Sequence, residues 1–490
     1  MVSDMKSVKT EGIQKQAVWE MALLWISGIL FLLFFSYMTS PLFPWAYGWD
    51  SAFFQLVGNG MTKGYLPYRD FYDMKGPWLF FIEYASQLLL FGRTGIFLLQ
   101  CISLGFVLFF CRQIYCKYFG GGGIWGSIIT VLPLYAVLAS TIEGGNLTEE
   151  WSLPLIFFCV YLSLDFIMEE RKVHKPLYGF VYGVCFGIIA LIRITNAVMI
   201  CAIVLTVSIY LLKNKEWKNL LWNAAAFLLG IAAAFLLPVL YFGYYGELGN
   251  MFQCVFVFGY IYGTEGFEIG AGAVFLVTLL LSVVIFFITK QDNKKLWMLV
   301  IWNTAGMMVT LGMGNSTLHD YMLIVPGMMF GVWRLVKVWQ DNHFDRTKKL
   351  CLAAAVIVCL AYPCYKMAGA GISILRQAGD DTAYQNVMET VECIPENERN
   401  RVWGYEVSLR WYTIADIIPC NRYCGWQEHY MSLSPEIAGE VEEMLKTNPP
   451  KWIVTKTSAV IENETVKSKL SEDYTLFMEN EEYILYQLKN

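Results

Sequence analysis

Apolar residues run along this chain in blocks of about 20, the length that crosses a bilayer as a helix. Such blocks fall at 19–39, 96–116, 124–142, 151–168, 176–193, 196–212, 220–243, 271–289, 296–313, 320–337 and 349–367. The pattern predicts an all-α polytopic membrane bundle of about eleven helices. Basic residues orient it, because Lys and Arg gather on the cytoplasmic side. They cluster at Lys6, Lys9 and Lys15, at Arg112 and Lys117, at Arg171 to Lys175, at Lys213 to Lys218, at Lys290 to Lys295, and at Arg334 to Lys349. The loops 143–150, 244–270 and 314–319 contain neither Lys nor Arg. Alternation then closes with the N-terminus inside and the C-terminal region outside.

Three apolar stretches are too short or too polar to cross. Residues 77–92 have the length of a re-entrant or interfacial helix; if they crossed, every later basic loop would lie outside. Residues 50–63 read as a second surface helix, with Phe53, Phe54, Leu56, Val57 and Met61 as its apolar side. Residues 250–262 read as a third.

After residue 370 the blocks stop and charges become frequent. Strand-like runs at 401–406, 451–456, 474–478 and 482–488 surround an amphipathic helix at 435–447. Pro435 suits its first turn, and Ser434 suits the N-cap. A small extracytoplasmic α/β domain is expected at 371–490, after a cytoplasmic segment 1–18 and a transmembrane domain 19–370. Cys393, Cys420 and Cys424 lie in it, where a disulfide and free thiols are both allowed.

Composition agrees with this reading. Hydrophobic residues make up 56% and charged residues 16%, with a mean hydropathy of +0.45; soluble domains carry about 25% charged residues. No basic tract suggests nucleic acid, no Cys/His spacing suggests a structural metal, and no Rossmann-type glycine loop is present. The run 119–126, FGGGGIWG, reads as a turn before an apolar helix.

Against this background the charges at the outer face need a reason, since ionisable groups near lipid are costly. The first outer loop carries Asp50, Lys63, Arg69, Asp70, Asp73 and Lys75. The second carries Glu143, Glu149 and Glu150; Arg193 ends the 176–193 block, and His319, Asp320 and Tyr321 begin the 320–337 block. A carboxylate there can take a hydroxyl proton or hold a divalent cation. An Arg or Lys there can bind a lipid phosphate. The same charges also serve as interfacial anchors or as one another's partners. Asp70 fits a pairing with Arg69 or Lys63, and Asp73 is either a metal or acceptor ligand or the partner of Lys75. Asp165, beside a basic cytoplasmic loop, reads as a solvation residue.

The order YGWDSAFF, GYLPYRDFYDMKGPWLFF, LLLFGRTG and NLTEEWSLP resembles bacterial members of the GT-C glycosyltransferase superfamily, which includes protein O-mannosyltransferases and the aminoarabinose transferase of lipid A. The likeness is carried by about the first 200 residues. It implies a polyprenyl-phosphate sugar donor, inverting transfer at the outer leaflet, and a cell-envelope glycan, lipid or protein as acceptor. It makes Asp50 the catalytic base. Lys75, with Arg69 and Arg193, would bind the donor phosphate. Asp73, Glu149, Glu150, His319, Asp320 and Tyr321 become acceptor or metal candidates, with a divalent cation as the candidate cofactor. Two departures stand out: Ser51 follows Asp50 where the family often has Glu, and Lys75-Gly76-Pro77 replaces Lys-Pro-Pro. A secondary transporter or lipid-linked sugar flippase is the competing reading, but transporters usually show internal repeats and midplane charges. A non-catalytic scaffold is the third.

Overall fold

A computed structural model describes residues 2–90, 92–121, 123–263, 301–302, 318–340, 346–377 and 379–489. Six of the described helices are long and apolar enough to span a membrane: Val18–Phe35, Arg93–Tyr118, Ile124–Thr141, Thr148–Met168, Ile194–Lys213 and Trp217–Tyr244. The expected block 271–289 and most of 296–313 lie outside the described residues. The chain divides into two compact units.

The first unit comprises Met1–Tyr37, Phe97–Leu240 and Gly263–Leu375. Its core includes Leu108, Cys111, Ile156, Phe157, Ile189, Ile203, Met329 and Trp333, all sealed from solvent. Other faces of the same helices stay apolar and open. Leu98, Ile102, Phe106 and Phe109 form one exposed stripe at helical spacing on Arg93–Tyr118, which suits a lipid-facing surface. Helices Pro176–Ala190 and Trp217–Tyr244 meet backbone to backbone. A Cβ on Gly183 would lie 2.0 Å from the Phe227 carbonyl oxygen, and one on Gly230 would lie 2.1 Å from that of Phe180; only glycine permits this approach.

Two apolar blocks begin or end differently from their hydropathy. The 176–193 block is helical only over Pro176–Ala190, and Arg193 is extended (φ −153°). The 320–337 block starts as a 3₁₀ turn, Leu318–Ile324, and becomes α-helix at Val325–Gln340. Pro326 lies in the first turn of that helix, where its missing N–H costs nothing. At the opposite ends of the helices, Asp165 sits between Lys117 (2.5 Å) and Arg171 (3.1 Å), in keeping with a solvation role.

The second unit comprises Met38–Ile96, Tyr241–Tyr262 and Arg376–Asn490. The loop after the first apolar block thus folds with the C-terminal segment. Its helices Trp49–Thr62 and Pro77–Leu89 have 14 and 13 residues, too few for a span. Phe53, Phe54, Leu56, Val57 and Met61 are all buried there. Residues Leu248–Gly263 form a short helix interrupted by a π-helical stretch, Gln253–Phe258.

The C-terminal segment carries a four-stranded sheet: β1 (Val402–Tyr405), β2 (Trp452–Lys456), β3 (Tyr474–Glu479) and β4 (Tyr483–Leu488), in the order β1-β2-β4-β3. β1 and β2 run parallel; the other pairs are antiparallel. Helix Pro435–Thr447 forms as expected, with Ser434 Oγ accepting from the Ile437 N–H at 3.5 Å. Cys393, Cys420 and Cys424 are free thiols. Hydrogen bonds tie this segment to the loop at 47–78. The Tyr72 N–H donates to the Arg422 carbonyl at 2.9 Å, Thr413 Oγ1 to the Ala52 carbonyl at 2.7 Å, and Asn59 Nδ2 to Asp416 at 2.8 Å.

Candidate functional site

In the first unit the loop 143–146 sets the geometry. Glu143, Gly144, Gly145 and Asn146 all take positive φ (42°, 92°, 86° and 64°). The Gly-Gly-Asn stretch allows it, since these residues bear the left-handed region best. A Cβ on Gly145 would lie 1.9 Å from Ser36 Oγ. The turn delivers the chain into helix Thr148–Met168 with Glu149 and Glu150 in its first turn, where the helix dipole favours carboxylates.

The two glutamates have different surroundings. Both Glu150 oxygens accept from Gln100 Nε2 at 3.0 Å, and Oε2 accepts the Asn146 N–H at 2.8 Å. Glu149 Oε1 accepts from Thr148 Oγ1 at 2.8 Å and from Arg193 Nη1 at 2.6 Å. The same Arg193 nitrogen donates to Asp320 Oδ1 at 2.8 Å. Glu149 and Asp320 side chains are sealed from solvent, and Arg193 is 16% exposed. His319 Nδ1 lies 2.6 Å from Glu143 Oε2. Burial disfavours the charged imidazole, but the bond to Glu143 and the charges of Glu149 and Asp320 outweigh it and raise its pKa.

Four residues flagged from sequence therefore converge: Glu149, Arg193, His319 and Asp320. Ligand atoms of Glu149, His319 and Asp320 lie within 4.8 Å of one another. Glu149 Oε2 is buried without a hydrogen-bond partner among the described residues. Two carboxylates, an imidazole and an orphaned buried oxygen fit a divalent cation. Tyr321 follows in the same 3₁₀ turn and is half-buried. Gln100 was not indicated by any sequence signal, because a glutamine in an apolar run carries no charge to flag.

In the second unit, Asp50 opens helix Trp49–Thr62 and is half-buried. Asp73 is 3% exposed and accepts the Lys75 N–H at 2.6 Å. The Lys75 carbonyl accepts from Tyr68 Oη at 2.9 Å, so both ends of the Asp-Met-Lys turn are pinned. Burial raises the Asp73 carboxyl pKa; Lys75 opposes this and Asp50 adds to it. Asp50 and Lys75 thus each lie within electrostatic reach of Asp73, and both carboxylates act on the buried Tyr430. Arg69 Nη2 pairs with Asp70 at 2.7 Å, and Lys63 Nζ with Asp416 at 2.8 Å.

No protein-family model and no curated protein matches the chain. Solved structures do. ArnT from Cupriavidus metallidurans in the apo state aligns at a TM-score of 0.57 and 10% identity, over 96% of this chain and 98% of that one. ArnT from the same organism bound to undecaprenyl phosphate aligns at 0.55 and 11% identity, over 95% and 97%. The fold is therefore like that of ArnT along nearly the whole of both chains. Within this fold, the segment 47–78 supplies Asp50, Asp73 and Lys75, and the loop 143–150 supplies Glu149.

Proposed function

We propose that the chain is a membrane glycosyltransferase that moves a sugar from a polyprenyl-phosphate donor to an acceptor hydroxyl at the outer face, with inversion. The supporting observation is the end-to-end likeness to ArnT, a protein seen with undecaprenyl phosphate, in a chain whose own Asp73 lies within electrostatic reach of Asp50 and Lys75. The Lys and Arg distribution supports putting the loop at 47–78 and the C-terminal segment outside the cytoplasm.

The chemistry follows from these groups. Asp50 accepts the proton of the acceptor hydroxyl as its oxygen bonds to the anomeric carbon. The bond from that carbon to the phosphate oxygen breaks on the opposite face, and the electron pair leaves on the phosphate. Lys75 and Arg69 neutralise the charge that grows there. The lipid keeps the leaving group in the bilayer, so no soluble nucleotide site is needed. Asp73 orders the Lys75 backbone and adds negative charge beside Asp50. In the other unit Arg193 neutralises Glu149 and Asp320. Glu149, His319 and Asp320 are the residues that would hold a divalent cation, whose charge would favour an anionic substrate.

Reconstitution tests this reading. The protein in proteoliposomes with radiolabelled polyprenyl-phosphate hexose and a membrane extract should release polyprenyl phosphate and label a glycan, lipid or protein, with the anomeric configuration inverted. Movement of intact donor across the bilayer without cleavage would instead establish a flippase.

A further inference from the structure

The second unit contains a cleft of about 900 Å³ between the first outer loop and the C-terminal segment. Ligand sites commonly enclose about 300–1,000 Å³, so it has room for more than one sugar ring. Five cations line it: Lys63, Arg69, Arg399, Arg401 and Arg422. Three acids accompany them, and each is already matched: Asp416 with Lys63 at 2.8 Å, Asp70 with Arg69 at 2.7 Å, and Glu440 with Arg422 at 2.6 Å.

Arg399 and Arg401 remain. Arg399 Nε donates to the Ile394 carbonyl at 3.4 Å, and Arg401 Nη2 to the Pro449 carbonyl at 3.2 Å. Neither has a carboxylate within ion-pair distance among the described residues. They flank Asn400 at the end of the 3₁₀ turn Glu396–Arg401, and all three line the cleft. The lining therefore holds a surplus of two guanidinium charges. Such forks match phosphate oxygens bidentately. Asn400, Asn421 and Asn448 add carboxamides, which pair with sugar hydroxyls in both directions.

We propose that this cleft binds a phosphate-bearing saccharide, the anionic part of the acceptor, through Arg399 and Arg401. The identity of the ligand as acceptor rests on the glycosyltransferase reading; the existence of the site does not. Arg399 and Arg401 donate to backbone carbonyls but have no carboxylate in ion-pair distance among the described residues, and they line a ligand-sized recess.

The test is titration of the full chain in detergent with glucose 1-phosphate, glucose and inorganic phosphate, by calorimetry. Glucose 1-phosphate should bind, more weakly as salt rises, and more tightly than either glucose or inorganic phosphate. The double variant Arg399→Ser/Arg401→Ser should weaken it by about tenfold or more, as expected when charge-assisted hydrogen bonds are lost. Lys467→Ser, on the exposed helix Glu464–Asp473 of the same segment, should bind as wild type does. Equal affinity in the double variant, with unchanged thermal unfolding, would overturn the proposal. Equal binding of glucose would do so too, and equal binding of inorganic phosphate would reduce the site to one for a bare anion. Asp50→Asn should keep this binding while losing transfer. No transfer by the wild type defeats the enzyme reading alone, normal transfer by Asp50→Asn defeats Asp50 as its base, and normal binding by the arginine double variant defeats the cleft alone.

Discussion

Arg193 and Glu149, 44 positions apart, meet at 2.6 Å with the carboxylate fully buried. The same guanidinium nitrogen holds Asp320 at 2.8 Å, so one cation compensates two buried acids. Breaking such a pair from one side strands charge away from water, a loss of about 3–5 kcal/mol. Arg193→Ala should lower resistance to denaturation by that order. Adding Glu149→Gln and Asp320→Asn to it should restore much of the loss. A denaturant titration of the three proteins in detergent checks this, and an unaltered Arg193→Ala would show that the bridge carries no stability.

Asp73 gives a pH dependence. Its folded pKa is raised, chiefly by burial, while an unfolded Asp titrates near about 3.9. Its neutral form is the one the fold tolerates, so its contribution is complete below the unfolded pKa and is lost as pH rises through the folded one. Asp73→Asn keeps an oxygen to accept the Lys75 N–H but has no charge to bury. The variant should therefore be more stable than wild type at pH 7.5, with the gap closing towards pH 4. Parallel thermal unfolding across that range would show a constant gap if burial of Asp73 were immaterial.

Gly145 is the tightest point of the second outer loop. Its φ of +86° is strained for any L side chain, and an added Cβ would lie 1.9 Å from Ser36 Oγ. Gly145→Ala should cost about 1–3 kcal/mol from backbone strain alone, and more if Ser36 cannot move. Because the loop positions Glu149, transfer should fall along with thermal stability.

The cluster of Glu149, His319 and Asp320 invites a direct metal titration. Mn²⁺ added to the metal-stripped protein should bind, as read by calorimetry. His319→Ala and Glu149→Gln should each weaken that binding by about tenfold or more, the usual effect of disturbing a ligand set. Unchanged Mn²⁺ affinity in both variants would remove these residues as ligands.

The sequence made some of this visible and hid the rest for physical reasons. Helix Pro435–Thr447 could be read to its last residue, because its cap, proline and apolar spacing are all local. The four strands are equally local in their signals. The break after Ala190 was not visible: Leu191, Ile192 and Ile194 continue the apolar run, so hydropathy passes over the helix end. Arg193 was legible as a charge at the end of an apolar block, but its bond to Asp320, 127 positions away, is a product of packing. Arg399 and Arg401 carry no local signal of a site, because the cleft they line also draws on Lys63 to Asp70, more than 300 positions away.

The central claim is that Asp50 is the base of a transferase. Its most direct test compares wild type with Asp50→Asn in single-turnover transfer from radiolabelled polyprenyl-phosphate hexose, after thermal unfolding has shown the two to be equally folded. Loss of a general base should slow transfer by about 10²–10⁴-fold, with donor binding retained. Transfer by Asp50→Asn at the wild-type rate would contradict the account.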